Sequence, residues 1–215
     1  MNHSFIMTYQ GLEFVLRKED VDFSHGLGIV KAELVTDFEG SLVSEPLIGV
    51  VTRDFAPVLK LVPTSYLYKF SVIDEANVVF NTYDFELYHI TVKKGNIKTS
   101  LLPGFDFVYM GNRLLKLKDG VKESLFSLDI EREITGDFSH ISAFSYRKEL
   151  GLELAEASVF LPIGEDNFEQ IVTYLNKEGK VVAPYYAVRQ DFYYDASMDI
   201  KEVISIVKSQ LGRQR

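Results

Sequence analysis

YLYKFSVIDEANVVFNTYDFELYHITVKKGNIKTSLLPGFDFVYMGN, residues 66–112, decides the fold. Tyr66, Tyr68 and Phe70 fall on one face of an extended chain, with Leu67, Lys69 and Ser71 on the other. Phe85, Leu87 and His89 share a face, as do Glu86, Tyr88 and Ile90, and Phe105, Phe107 and Tyr109 alternate with Asp106 and Val108. Aromatic and β-branched residues suit a pleated, half-buried surface. The breaks carry turn chemistry: Asp74 to Asn77, Lys94-Gly95-Asn96, Pro103-Gly104 and Gly111-Asn112. A parallel sheet would need crossover helices of roughly 10–15 residues, and no gap here is that long. The expected class is mainly β, with antiparallel sandwich or barrel modules.

Outward from this stretch the same pattern holds. Phe5–Tyr9, Leu12–Arg17, Ile29–Thr36, Leu47–Thr52 and Val58–Val62 read as strands. Asp37 to Gly40 and Val43 to Pro46 read as turns. Pro57 and Pro63 imply edge or terminal strand positions. RLLKLKDGVKESLFSLDI, residues 113–130, reads as a hairpin closing on Asp119-Gly120. Ile141–Tyr146, Ala157–Leu161, Phe168–Leu175 and Val181–Val188 follow, and Gln190 to Asp195 reads as a last strand or a loop. Ile200, Val203, Ile204, Val207 and Leu211 stand at i, i+3, i+4, i+7 and i+11, which predicts a C-terminal helix over 199–211 capped by Ser197 or Asp199. Its apolar stripe must be covered by its own sheet or by docking on a neighbour.

The polar run 129–136 suggests a short junction. The expected organisation is a β-sandwich module over 1–125 and a smaller β module over 126–215 that ends in the helix; one continuous β domain is the alternative. Asp22-Phe23-Ser24-His25 recurs as Asp137-Phe138-Ser139-His140, so duplication stands beside coincidence.

Residues 35–92 resemble the transthyretin-like and carboxypeptidase-regulatory-like β-sandwich modules. The features that carry the likeness are the turn glycine Gly40, Pro46-Leu47-Ile48-Gly49-Val50, Tyr68-Lys69-Phe70 and Tyr88-His89-Ile90-Thr91-Val92. Asn77-Val78-Val79-Phe80 stands where that family carries an Asp-Gly-x-Phe turn, without the glycine. The resemblance covers roughly residues 30–93. It implies a stalk, spacer or adaptor module of bacterial surface proteins or of phage and injection-machine tails, and no catalytic residues.

Composition narrows the function. The 215 residues are 47% hydrophobic, enough for a sizeable core, and carry a net charge of −8, which argues against nucleic-acid binding. The only basic cluster is the tail, Lys208 through Arg215. With no cysteine, disulfides, thiolate catalysis and Cys-based zinc sites are excluded. The N-terminal residues do not form a signal peptide, and no apolar run approaches the ~18 residues of a membrane span. Cytoplasmic synthesis is expected, with release in a virion or other assembly as one fate.

No phosphate-binding, zinc-protease or nucleophile-elbow motif is present, and no cofactor is expected. Three constellations remain. Asp22/His25 with Asp137/His140 would make a metal site only if the two modules packed symmetrically; solvated loops are the plainer account. Asp84, Glu86 and Asp106 admit a hydrolase carboxylate pair. Tyr185, Tyr186, Phe192, Tyr193 and Tyr194 form a candidate contact patch. The leading expectation is a non-enzymatic building block or adaptor of an assembly such as a phage tail, capsid or injection machine, with self or heteromeric protein partners. A carbohydrate- or small-molecule-binding module is the alternative, and an Asp/Glu hydrolase the third reading.

Overall fold

The computed structural model describes residues 3–163, 167–189 and 192–212. The protein is mainly β, with antiparallel sheets and one C-terminal helix. It divides into two compact units, Met1–Pro103 and Gly104–Arg215. The hairpin around Asp119-Gly120 therefore belongs to the second unit. A boundary near 125 would cut through the strand 122–127, which pairs with 114–119 on one side and with 132–133 on the other.

The first unit contains β1 (Ser4–Tyr9), β2 (Leu12–Arg17), β3 (Asp22–His25), β4 (Leu27–Phe38), β5 (Ser41–Val51), β6 (Pro57–Pro63), β7 (Leu67–Val72), β8 (Asn77–Thr82), β9 (Leu87–Lys93) and β10 (Asn96–Leu102). They form a β1–β2 hairpin and two four-stranded sheets, ordered β3-β4-β5-β6 and β10-β9-β8-β7. The β3–β6 sheet is apolar on both faces near its centre. Val30, Leu47, Val51 and Leu61 pack on Met7 of the hairpin. Leu27, Val50 and Val58 point the other way, onto Leu67, Val78, Phe80 and Ile90 of the second sheet. This explains the unbroken run Leu47–Val51: the strand has no wet face to alternate with. Pro57 and Pro63 are the first and last residues of β6, an edge strand, where the missing N–H costs nothing.

Val43 to Pro46 is not a turn. These residues continue β5, paired to Thr36, Val35, Leu34 and Glu33 of β4. The real turn is Glu39-Gly40, both at positive φ, as a two-residue hairpin loop requires. Asn77 to Phe80 likewise lies within β8 and not in a turn. The glycine that matters most is Gly26, at φ +98 between β3 and β4. A Cβ there would sit 2.6 Å from the backbone nitrogen of Glu75, in the β7–β8 turn. That turn is itself fixed by the Asp74 carboxylate, which accepts from Ala76 N and Asn77 Nδ2 at 2.8 Å each.

The second unit contains β11 (Asp106–Gly111), β12 (Leu114–Asp119), β13 (Lys122–Ser127), β14 (Arg132–Glu133), β15 (His140–Ile141), β16 (Ser145–Arg147), β17 (Leu152–Pro162), β18 (Phe168–Leu175), β19 (Tyr185–Ala187), β20 (Phe192–Tyr194) and helix α1 (Ile200–Gly212). One sheet is ordered β11-β12-β13-β14; the other is β15-β17-β18-β19-β20, with β16 also paired to β17. The strand expected over Val181–Val188 shrinks to Tyr185–Ala187, since Pro184 interrupts it. The helix stripe is taken up by the unit's own core: Ile200, Val203 and Val207 are buried against Ala155, Ala157, Ile171 and Leu175, with Ile204 and Leu211 partly buried beside them. Most of the stripe is thus covered from within the unit.

The buried face of β18 is Glu169, Ile171, Thr173 and Leu175. Both carboxyl oxygens of Glu169 are buried, with no hydrogen-bond partner among the described residues. Such a group costs free energy that an apolar side chain of similar volume does not. Glu169→Met is expected to stabilise the fold by about 1–3 kcal/mol, read as a higher denaturant midpoint at unchanged slope. Gly26→Ala is expected to destabilise by about 2 kcal/mol or more, combining a positive-φ penalty with the clash at Glu75; thermal melts of the two chains check it.

Candidate functional site

The β4–β5 hairpin is longer than the sheet that holds it. β3 pairs with β4 only as far as Ile29, and β6 pairs with β5 only back to Leu47. Ser65 Oγ donates to Glu45 at the root. Past that point the two strands pair only with each other, from Glu33↔Pro46 to Phe38↔Ser41. Six residues per strand at about 3.3 Å each give an arm of roughly 20 Å.

Cross-strand partners share a face, so Leu34, Thr36, Phe38, Ser41, Val43 and Glu45 lie on one side. It is the same side that carries Val30 and Leu47 under the β1–β2 hairpin. Glu33, Val35, Asp37, Leu42, Ser44 and Pro46 lie on the other. Phe38 is 67% exposed and Leu42 78%, with Val35 and Val43 also exposed. Near the root the face is core; further out the same alternation continues with nothing on it. Local hydrogen bonds hold the ribbon in shape: Asp37 Oδ1 accepts from Gly40 N at 2.9 Å, and Ser44 Oγ donates to Glu33.

The aromatic patch separates into two sets. Register pairs Tyr185 with Tyr194, Tyr186 with Tyr193 and Ala187 with Phe192. Tyr185 is 2% exposed and belongs to the core, and Tyr194 is partly buried, donating its hydroxyl to Gln210 Oε1 at 2.7 Å. Tyr186 and Tyr193 meet on the other face with centroids 4.9 Å apart; Tyr193 is 71% exposed and Phe192 is also exposed. Phe192, paired with Ala187, lies on the face of Tyr185 and Tyr194, so the five aromatic residues are divided between the two faces of the β19–β20 pair. Gln190 and Asp191, in the same stretch, lie outside the described residues, as do Arg213 to Arg215 of the basic tail.

The DFSH copies sit in unlike settings. Asp22 to His25 is strand β3, and Asp22 Oδ1 accepts from Ser24 N at 2.9 Å. That bond, with the Ser24 hydroxyl, holds the Asp22 carboxyl below the usual range. In the second copy Asp137 Oδ2 accepts from Lys122 Nζ at 2.9 Å, and His140 opens β15. His140 Nδ1 is 3.6 Å from Oε2 of buried Glu123. Glu123 also meets Lys116 at 3.1 Å and Lys118 at 3.6 Å, and accepts from Ile141 N at 2.6 Å. Sequence reading missed this cluster because its members are spread over residues 116–141. It clamps β13 to β15.

Asp84 and Glu86 are not on a strand. They lie in the β8–β9 turn, since β9 begins at Leu87. The Tyr88 hydroxyl donates to Glu86 at 2.6 Å, and that bond pushes the Tyr88 phenol up to about 12. Asp106, at the start of β11 in the other unit, accepts from the N–H of Phe107 at 2.7 Å. His89 is buried, with Nε2 2.8 Å from Asn77 Oδ1. Among the described residues, no three His, Cys, Asp or Glu side chains gather as metal ligands.

One cleft of about 360 Å³ opens in the second unit, lined by Thr135, Phe138, Lys180, Tyr185, Met198 and Asp199 among others. Asp199 serves the helix: its Oδ1 accepts from Lys201 N at 2.7 Å as an N-cap. Burial, then the Asp199 charge, pushes the Tyr185 phenol up to about 12.

No family model, curated protein or solved structure matches the chain. No helix among the described residues is long and apolar enough to cross a membrane.

A raised phenol favours the fold below the unfolded value near 10 and ceases to do so as pH climbs through about 12. The protein is expected to lose stability between those limits. Tyr185→Phe should flatten that alkaline loss, as followed by chemical denaturation at stepped pH.

Proposed function

We propose that the chain is a non-enzymatic structural protein, a building block or adaptor of a larger assembly that docks through the β4–β5 arm. One observation carries the reading: a two-stranded ribbon extends beyond its sheet with Val35, Phe38, Leu42 and Val43 exposed. Apolar groups grouped in this way on a surface mark contact sites, and open strand edges add hydrogen-bonding capacity. A phage tail, capsid or related injection machine is the proposed setting. The resemblance of residues 30–93 to transthyretin-like modules supports the same spacer or adaptor role.

A second reading, a carbohydrate-binding module, draws on a single feature: exposed Tyr193 packed against half-buried Tyr186.

A photo-crosslinking side chain at Phe38 tests the first. In cells making the protein at its natural level, discrete crosslinked products are expected from position 38. None is expected from the same group at Val121, an exposed turn residue outside the arm. Equal yields from both positions, or none from either, would remove the arm as a docking element.

A further inference from the structure

The arm is acidic as well as apolar. Between residues 33 and 46 stand Glu33, Asp37, Glu39 and Glu45, with no lysine or arginine. Elsewhere on the same unit, β10 is the edge of its sheet and pairs with β9 alone among the described strands. Its segment, residues 93–101, holds Lys93, Lys94 and Lys98 with no acid, and exposes Ile97 and Leu101. Among the open strand edges of the first unit, these two are apolar in part and opposite in charge.

We propose that the occupant of the arm is a second copy of this chain, with the outer edge of β4 in one copy added as a strand to the outer edge of β10 in the next. This rests on the reading of the arm as a docking element. Main-chain hydrogen bonds supply affinity in such an addition, and alternate side chains supply selectivity. The β4 edge suits it better than β5: residues 33–38 contain no proline, whereas Pro46 removes a donor from β5. Charge excludes the symmetric alternatives. Two β10 edges would bring lysines together and two arms would bring carboxylates together, whereas arm on β10 relieves both. Lysines on an edge strand commonly guard against stray pairing. Here they guard against another β10 while admitting an acidic strand.

An arm on one surface and its receptor on another make a head-to-tail contact. Such contacts propagate into a closed ring or an open filament. The contact is charge-assisted and exposed, so added salt weakens it.

A charge exchange tests this. One variant reverses the arm (Glu33→Lys, Glu39→Lys, Glu45→Lys) and leaves Asp37, which holds the turn. The other reverses the edge (Lys93→Glu, Lys94→Glu, Lys98→Glu). Light scattering over a concentration series gives native mass, and circular dichroism melts confirm folding. The wild type is expected to exceed monomer mass at low salt and to fall towards it as salt rises. Each variant alone should need at least about tenfold more protein to associate. An equimolar mixture of the two should recover the wild-type mass, because each arm then meets an edge of opposite sign. If a triple variant does not fold, Lys94→Glu with Glu39→Lys gives the same test at two exposed turn residues. Wild-type protein that stays monomeric at every concentration and salt overturns the proposal, as do variants that associate as well as the wild type. A monomer whose position 38 still crosslinks to a different protein overturns the second-copy assignment and leaves the docking reading standing. A monomer without such a crosslink removes both.

Discussion

The first unit depends on one sheet being buried from both sides. At the centre of β4 and β5, odd and even positions are equally apolar, because Met7 of the β1–β2 hairpin covers one face and Leu67, Val78 and Phe80 cover the other. With both faces buried, a slip of one residue would still bury apolar side chains, so it is the hairpin turn at Glu39-Gly40 that fixes register. Burial stops where the covering layers stop, at Leu34 and Glu45, while the hydrogen-bonded pairing continues to Phe38 and Ser41. The arm is what remains of the hairpin once the core has ended. Nothing in the fold of the first unit needs its outer part, which is why its exposed apolar side chains call for another explanation.

The polar groups point the same way. Several carboxylates are engaged by the protein itself: Glu123 by two lysines and a backbone N–H, Asp199 by the first turn of the helix, and Glu86 by Tyr88. Such contacts fix strands and turns. The exposed chemistry is of another kind, made of open strand edges and of apolar and charged side chains arranged along them.

Much of this architecture was legible. Phe168–Leu175 and Leu12–Arg17 have the bounds that alternation gives them, and the stripe from Ile200 to Leu211 is the helix. The arm was not legible, for a physical reason. Ser44, Glu45 and Pro46 carry turn chemistry, and in a strand paired on one side only those residues are tolerated, because no second neighbour needs their donors. The aromatic patch was half legible. Composition marks Tyr185 to Tyr194 as contact-prone, but which tyrosines face solvent depends on strand register, which places Tyr185 in the core and Tyr193 outside it. The Glu123 cluster needs a tertiary fold to exist at all.

Amide hydrogen exchange at residue resolution, on the same protein at low and at high concentration, tests the central claim most directly. On this account the amides of Leu34 to Phe38 and of Ile97 to Leu101 exchange more slowly as concentration rises, while those of buried β8 stay unchanged. Arm amides that exchange at one rate across the whole range, in low salt, would contradict it.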